Sequence, residues 1–440
     1  MQDSWKPLLE GDMADRARTA LEDIARAVPA ATLYQPGDFP EPTLVAWRAT
    51  LASGSAGKAL LYAYLAFDQE ARGTDGLRLD GDPGEIALDL LDRSSEAVAE
   101  VPMTDSLYSG FPGIAWVNDH LAGRLFAAGD DAEAANAEVD EALLSVLERD
   151  PWPGEYDLIN GLVGLGIYAL EGLPRPTAAR CLERVVERLS GLAERSAEGA
   201  TWFSPVQSIP VYQREDYPEG LYNLGASHGV AGIVGVLGAA CGAGVATGSA
   251  RPLLDETVRW LLAHRQGPES LCSFSHFFYP GMEPGLSRLA WCYGDLGVAA
   301  TLLVAARGTG EAAWERTALD IAAHAAERPD DLGRVMDAGL CHGAAGVAHL
   351  FNRMARMTGD ERLVRAARHW YGRALEFHQP GEGVGGFRSW SSGADGQQDW
   401  REDPGFLEGA AGIGLALLGA ISPVDPEWDR VLMVSARPRP

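Results

Sequence analysis

A chain of 440 residues that is 46% hydrophobic has ample material for a large buried core, and 52 Gly against that apolar background point to close helix contacts rather than disorder. Its 36 Lys+Arg and 62 Asp+Glu leave a net charge of −26, which argues against nucleic acid and against an anionic membrane surface as partners, since both call for basic residues; a basic peptide would suit the charge, although solubility explains it equally simply. Five thinly spread cysteines (Cys181, Cys241, Cys272, Cys292 and Cys341) make no disulfide framework, and an N-terminus without an apolar signal core leads us to expect a cytoplasmic enzyme-sized globule.

In chain order, charged stretches with helical periodicity alternate with apolar ones. Asp15–Ala27 is the first charged stretch. After Gly54/Gly57 come Glu85–Glu100, Gly110/Gly113 opening GIAWV, Ala132–Arg149, Gly161/Gly164 opening GLGIYAL, and Pro176–Arg195. Gly229/Gly232 opens GIVGVL, followed by Pro252–Arg265; Gly294/Gly297 opens GVAATLLVA, followed by Glu311–Arg328. Gly343/Gly346 opens GVAHLF before Arg362–His378, and Gly409/Gly412 opens GIGLALL. In Ala179–Leu192 the apolar Cys181, Leu182, Val185, Val186 and Leu189 fall at helical spacing among Glu and Arg. One Gly-x-x-Gly in a glycine-rich chain means nothing. Seven, 49 to 68 residues apart, describe a repeat of one amphipathic and one apolar helix.

An amphipathic helix offers one face to water and one to a core, whereas a helix apolar all round must be enclosed. Seven of each predict an all-α fold, an α/α toroid (barrel) of seven helical hairpins with the apolar helices inside, forming a single domain over 1–440. Glycines where the inner helices begin allow close backbone approach. The helix N-termini would then meet at one end, where free N–H groups and partial positive charge suit an anion. Ala200–Leu224, with its aromatics and prolines, reads as a small irregular excursion or short hairpin, Gln379–Phe406 as a long loop, and SARPRP at the end as a frayed tail. The uncharged run Gly229–Ala250 is long enough to span a bilayer, but its Gly and Ala content reads better as a buried helix and a turn, so no integral membrane segment is expected.

The residues just before each glycine pair are Ser53, Ser109, Asn160, His228, Tyr293, His342 and Glu408. At equivalent positions of seven repeats, these side chains would converge. Cys292, Cys341 and His342 come from two successive repeats in register and make a plausible zinc site: thiolate and imidazole are zinc's preferred ligands, and three of them leave the fourth position open. Any one of them alone would more often be a buried core residue. Cys181, Cys241 and Cys272 lie outside the motif and read as core thiols.

Three segments, Gly225-Ala-Ser-His228-Gly229-Val-Ala-Gly232, Trp291-Cys292-Tyr293-Gly294-Asp-Leu-Gly297 and Cys341-His342-Gly343-Ala-Ala-Gly346, resemble the signature blocks of the lanthionine synthetase C-like (LanC) family, and Gly405-Phe406-Leu407-Glu408-Gly409-Ala-Ala-Gly412 resembles a fourth. The resemblance runs from Ser53 to Leu418. It departs at Leu296, where many members carry Pro, a change expected to touch turn rigidity and not chemistry. The resemblance implies a seven-fold α/α barrel, Zn2+ held by Cys292, Cys341 and His342, His228 as the acid/base histidine, and Asp157 and Arg288 as active-site residues.

It further implies a lanthipeptide cyclase that adds cysteine thiols of a dehydrated precursor peptide, leader plus core, to dehydroalanine or dehydrobutyrine, forming the thioether rings of lantibiotics. Zinc deprotonates a bound thiol, and the enolate left by Michael addition needs a proton donor, for which His228 is suited because imidazole titrates near neutral pH. Asp157 would orient His228 or else cap the following helix; Arg288 would stabilise the enolate oxygen or else serve as a salt-bridge partner. With the barrel consuming the chain, a separate dehydratase is the expected partner. Three rival readings stand beside this one: a LanC-like protein adding glutathione to dehydroamino acids; a zinc-dependent thiol alkyltransferase such as a protein prenyltransferase, for which Asp295 is the only nearby acidic ligand; and a non-catalytic, zinc-containing peptide-binding scaffold.

Overall fold

The repeat pattern is realised as alternating helices in the computed structural model, which describes residues 5–73, 76–127, 130–209, 214–392 and 397–436, without the side chains of 130–135. In chain order the helices are α1 (Gly11–Ala27), α2 (Glu41–Ala49), α3 (Ser55–Arg72), α4 (Pro83–Glu100), α5 (Phe111–Leu121), α6 (Asp130–Leu147), α7 (Leu162–Glu171) and α8 (Pro176–Leu192). They continue with α9 (Val230–Ala243), α10 (Thr247–Ala263), α11 (Asp295–Thr309), α12 (Ala312–Ala326), α13 (Asp330–Gly333), α14 (Ala344–Thr358), α15 (Glu361–Glu376) and α16 (Ala410–Ile421). Short strands interrupt them: β1 (Glu194–Ser196), β2 (Gly199–Thr201), β3 (Phe203–Ser204), β4 (Leu221–Asn223), β5 (Phe277–Phe278), β6 (Ser389–Ser392) and β7 (Gln398–Arg401).

The chain forms two compact units. One comprises Met1–Ala132 and Val335–Trp428, the other Glu133–Arg334 and Asp429–Pro440. In the first, α3 packs against α4, α5 and α16, while α14 packs against α15 and α16. In the second, α9 packs against α7, α10 and α11, and α11 against α12. The apolar helices that open with a glycine pair form the core of each unit. In α16 every residue from Ala410 to Ile421 is buried, and α9 is buried from Val230 to Gly238. The amphipathic helices cover them with one face. In α15 the buried Leu363, Ala366, Ala367, Trp370, Tyr371, Ala374 and Leu375 repeat at helical spacing. Each large apolar side chain so enclosed contributes about 1.5–3 kcal/mol.

The glycine pairs have a common structural cause. The first glycine of all seven is the N-cap of its helix. The chain before it folds back over the new helix, so that a Cβ on the second glycine would collide with the carbonyl oxygen of the residue six positions earlier: Gly57 with Leu51, Gly113 with Leu107, Gly232 with Ala226, Gly297 with Trp291, Gly346 with Leu340 and Gly412 with Phe406. Only glycine lets the loop seat there. Gly294 adds a positive φ of 83°.

The same folded-back loop corrects one expectation. In α7, α14 and α16 the first N–H groups are not free for an anion. Leu162, Val163 and Gly164 donate to Glu155, Tyr156 and Asp157; Ala344, Ala345 and Gly346 to Asp337, Ala338 and Gly339; Ala410, Ala411 and Gly412 to Asp403, Pro404 and Gly405. In these three helices the preceding loop caps the N-terminus with its own carbonyls, as buried backbone donors demand.

Other expectations need smaller changes. The 200–224 excursion contributes β3 and β4 to an antiparallel sheet completed by β5, and β1 and β2 form a hairpin just before it; its residues 210–213 lie outside the described set. The 379–406 loop contains the hairpin β6–β7. The tail is described only to Ala436. Gly229–Ala250 is α9, a left-handed Gly244 and the start of α10, and among the described residues no helix is long and apolar enough to cross a membrane.

Candidate active site

Within each unit, backbone hydrogen bonds tie neighbouring glycine loops together and thereby line up the side chains just before the glycines. In the second unit Leu158 N–H donates to Ser227 C=O (3.0 Å) and Ser227 N–H to Cys292 C=O (3.2 Å). In the first unit the relay runs from Cys341 N–H to Leu407 C=O (2.8 Å), Leu407 to Ala52 (3.0 Å), and Ala52 to Tyr108 (2.9 Å). Apart from Leu158, which is three before its glycine, the bonded residues are all two before the first glycine of their pair, which explains why chemistry at this register comes from different helices.

In the second unit this register brings Asp157 and His228 into contact, His228 Nδ1 lying 2.5 Å from Asp157 Oδ2. The other carboxylate oxygen of Asp157 accepts from Asn160 N–H at 2.7 Å, inside the loop, while Gly161 caps α7. The Asp157 side chain therefore shapes its own turn and aims His228, while only its backbone carbonyl takes part in capping α7. Its side chain is only 9% exposed, whereas that of His228 is 37% exposed, which leaves the ring accessible. Burial disfavours the imidazolium, but the hydrogen bond and charge of Asp157, with Cys292 adding to them, prevail and raise the His228 pKa above its ordinary value.

Cys292, Tyr293 and Arg288 share the loop before α11. Cys292 is 6% exposed, and its carbonyl also accepts from Ser227 Oγ at 3.2 Å. Tyr293 sits with its ring centroid 6.3 Å from that of His228, and its hydroxyl accepts from Asn223 Nδ2 at 3.3 Å. The salt-bridge alternative for Arg288 does not hold: half-buried, its guanidinium makes no hydrogen bond or ion pair among the described residues. Asp295 is also removed from any ligand role. Its carboxylate, fully buried, accepts from Ser273 and Phe274 N–H and pairs with the equally buried Arg328 at 2.9 Å. Arg328 in turn donates to the carbonyls of Leu271 and Ser287, so the pair clamps the segments flanking Cys292. Losing one member of such a pair strands the other charge, at a cost of roughly 3–5 kcal/mol.

His276 carries no motif and was missed by sequence reading. Its Nε2 accepts from Arg288 N–H at 3.1 Å, its carbonyl accepts from Leu224 N–H, and its ring centroid is 5.1 Å from that of Tyr293. Burial, with help from the Arg288 charge, pushes its pKa down to about 4, so the ring is a neutral acceptor. His276 immediately precedes β5 and lies 12 residues from Arg288 in sequence, and only the fold brings the two together.

In the first unit, Cys341 (7% exposed) and the half-buried His342 precede α14. Asp337 holds their loop: one oxygen accepts from Gly339 N–H at 2.9 Å and the other from Trp390 N–H at 2.8 Å, which moors β6 to the loop. Asp403 plays the same part before α16, accepting from Gly405 N–H at 2.6 Å. Cys181 and Cys272 are buried and Cys241 is half-buried, all as free thiols. His349 is buried and stacked on Trp428, and Trp291 donates to Leu432 C=O at 2.7 Å.

With that geometry described, comparison with known proteins is informative. A family model for lanthionine synthetase C-like proteins matches residues 45–433. Among solved structures, nisin cyclase aligns with a TM-score of 0.67 at 19% identity, covering 88% of this chain and 93% of that one. A cellobiose 2-epimerase from Bacillus thermoamylovorans and a sugar epimerase from a ruminal bacterium align with TM-scores of 0.48 and 0.45, each at 12% identity over 92% of this chain and 98% of theirs. The likeness to nisin cyclase shows the fold class, the all-α toroid expected from the seven repeats.

Proposed function

The chain belongs to the lanthionine synthetase C-like family, and from that premise we propose that it is a zinc-dependent lanthipeptide cyclase acting on a dehydrated precursor peptide delivered by a separate dehydratase. The observation that carries the reading is the Asp157–His228 pair beside the loop of Cys292, an acid/base group held in place next to a thiol ligand position. Cys292, Cys341 and His342 are a donor set that can hold a metal ion, and two soft thiolates with one imidazole suit zinc while leaving a coordination position open. We take 1–440 as one cyclase domain, a reading supported by a family model that matches residues 45–433.

Bound there, zinc supplies a thiol deprotonated at neutral pH. The substrate sulfur then forms a bond to the β-carbon of a dehydroamino acid, and the C=C electron pair moves toward the neighbouring carbonyl. His228 gives its proton to the α-carbon, completing the addition with no atom lost. Asp157 holds the Nδ1 proton, leaving Nε2 to face the substrate, and stabilises the charged ring. Arg288, having no carboxylate of its own among the described residues, is available to the enolate oxygen as charge develops there, and His276 fixes the backbone from which it extends.

The test is to incubate the zinc-loaded protein with a dehydrated peptide and count free thiols by alkylation and mass spectrometry. Thiols should disappear without change in peptide mass, and His228→Ala should keep zinc while slowing the loss by about 10²–10⁴-fold. Full activity in that variant would remove His228 from the reaction; adducts with added glutathione in place of rings would move the substrate to an intermolecular one.

A further inference from the structure

A cavity in the second unit borders the loop that carries Asp157 but includes none of the residues given chemical roles above. It has a volume of about 410 Å³ and is lined by Pro153, Gly154, Glu155, Tyr156, Leu192, Glu194, Trp202, Phe203, Pro205, Gln207 and Ser208. Two of these are carboxylates, three are aromatic, and none is Lys, Arg or His. Glu155 accepts from Ser208 Oγ at 2.7 Å and Glu194 from Tyr222 Oη at 2.9 Å. Both are held by hydroxyls, and neither has a cationic partner among the described residues. The polar ends of two of the aromatics are already used: Tyr156 Oη bonds Ser204 Oγ at 2.8 Å and Trp202 Nε1 donates to Leu189 C=O at 3.0 Å. Tyr156 and Trp202 are themselves buried, and the half-buried Phe203 is the ring with carbon surface and π-density left for a ligand.

We propose that this cavity binds a lysine or arginine side chain of the peptide substrate. Carboxylates beside aromatic faces form a cation site in which charge pairing and cation–π attraction add. Filling it would neutralise charge that the fold leaves uncompensated. The place is informative as well: Glu155 and Tyr156 immediately precede Asp157, so a cation seated there sits at the start of the loop that aims His228. The net charge of −26 acts in the same direction at longer range, favouring encounter with a basic peptide. The peptide nature of the occupant rests on the cyclase reading; the preference for a cation does not.

The experiment titrates the full chain with N-acetyl-arginine amide and with its uncharged isostere N-acetyl-citrulline amide by calorimetry. The arginine probe should bind about tenfold more tightly, and the preference should vanish in Glu155→Gln/Glu194→Gln. Glutamine keeps both acceptor oxygens for Ser208 and Tyr222, and each single variant, checked for a wild-type melting curve, should lose part of the preference. Equal binding of the two probes to the wild type, or an undiminished preference in the folded double variant, would overturn the assignment. A parallel measurement compares kcat/KM for a dehydrated peptide and its Arg→Gln counterpart: the wild type should favour the cationic peptide and the double variant should not. Probe preference without any cyclisation would defeat the cyclase reading and leave the cation site standing, whereas cyclisation without a charge preference would do the reverse.

Discussion

At the scale of the residue, burial and charge set opposite demands that the fold resolves locally. His228 is raised above its ordinary pKa because Asp157 offsets the cost of burial. A proton donor works while protonated, so activity should fall as pH rises through its pKa. Asp157→Asn removes the charge that holds the proton; the alkaline limb of the kcat profile should move to lower pH and the maximum should drop. An unmoved limb would mean another group gives the proton. A second pair lies in the other unit. Burial pushes Asp403 up to about 7, with Glu408 and Asp337 adding to the effect, and pushes Lys58 down to about 8. An acid whose folded pKa is raised contributes stability that is present below its unfolded value and lost as pH rises through the folded one. Asp403→Asn keeps an acceptor for Gly405 N–H, so its melting temperature relative to wild type should climb between about pH 4 and pH 7. A difference independent of pH would show that Asp403 is ionised throughout.

At the scale of the element, the decisive unit is a folded-back loop and the helix it caps. In α7, α14 and α16 the loop's carbonyls take the first N–H groups of the helix, and a glycine at the second position leaves room for the returning chain. Gly346→Ala would drive a Cβ into Leu340 C=O, beneath the loop that bears Cys341 and His342. It should cost more than about 2 kcal/mol in denaturant unfolding and lower zinc occupancy. The contrast is Gly372 in the middle of α15, where an added Cβ meets only Met13 Cε at an ordinary 3.7 Å. Gly372→Ala should stabilise by about 0.5–1 kcal/mol through helix propensity. If both variants behaved alike, the glycine pairs would be a matter of propensity and not of close approach.

At the scale of the whole molecule, the proposed metal should bear on stability as well as on chemistry. Cys292→Ala and Cys341→Ala should each abolish zinc binding as measured by metal analysis of the purified protein, with similar losses of melting temperature. Retention of zinc by either variant would exclude the three-residue set. The acidic surface belongs to this scale too, since net charge bears on solubility and encounter and not on the fold.

The sequence by itself determined the all-α class, the seven-hairpin repeat and the approximate places of the amphipathic helices, whose ends moved by up to five residues, as where α10 begins at Thr247 and not at Pro252. These follow from periodicity and from glycine, signals that act over one or two helical turns and need no partner to be read. The short α2, the hairpin β6–β7 and the addition of β5 to the β3–β4 pair of the 200–224 excursion were not legible, because pieces of two to nine residues carry too little pattern. Only the tertiary structure decided that Asp157 holds His228 across 71 residues, that Asp295 is spent on Arg328, that Arg288 has no acidic partner among the described residues, and that His276 supports it. Each of these is a pairing of polar groups between distant segments. Their partners are chosen by which loops the packed helices bring within hydrogen-bonding distance, a choice made by the assembled core and written in no local stretch of chain.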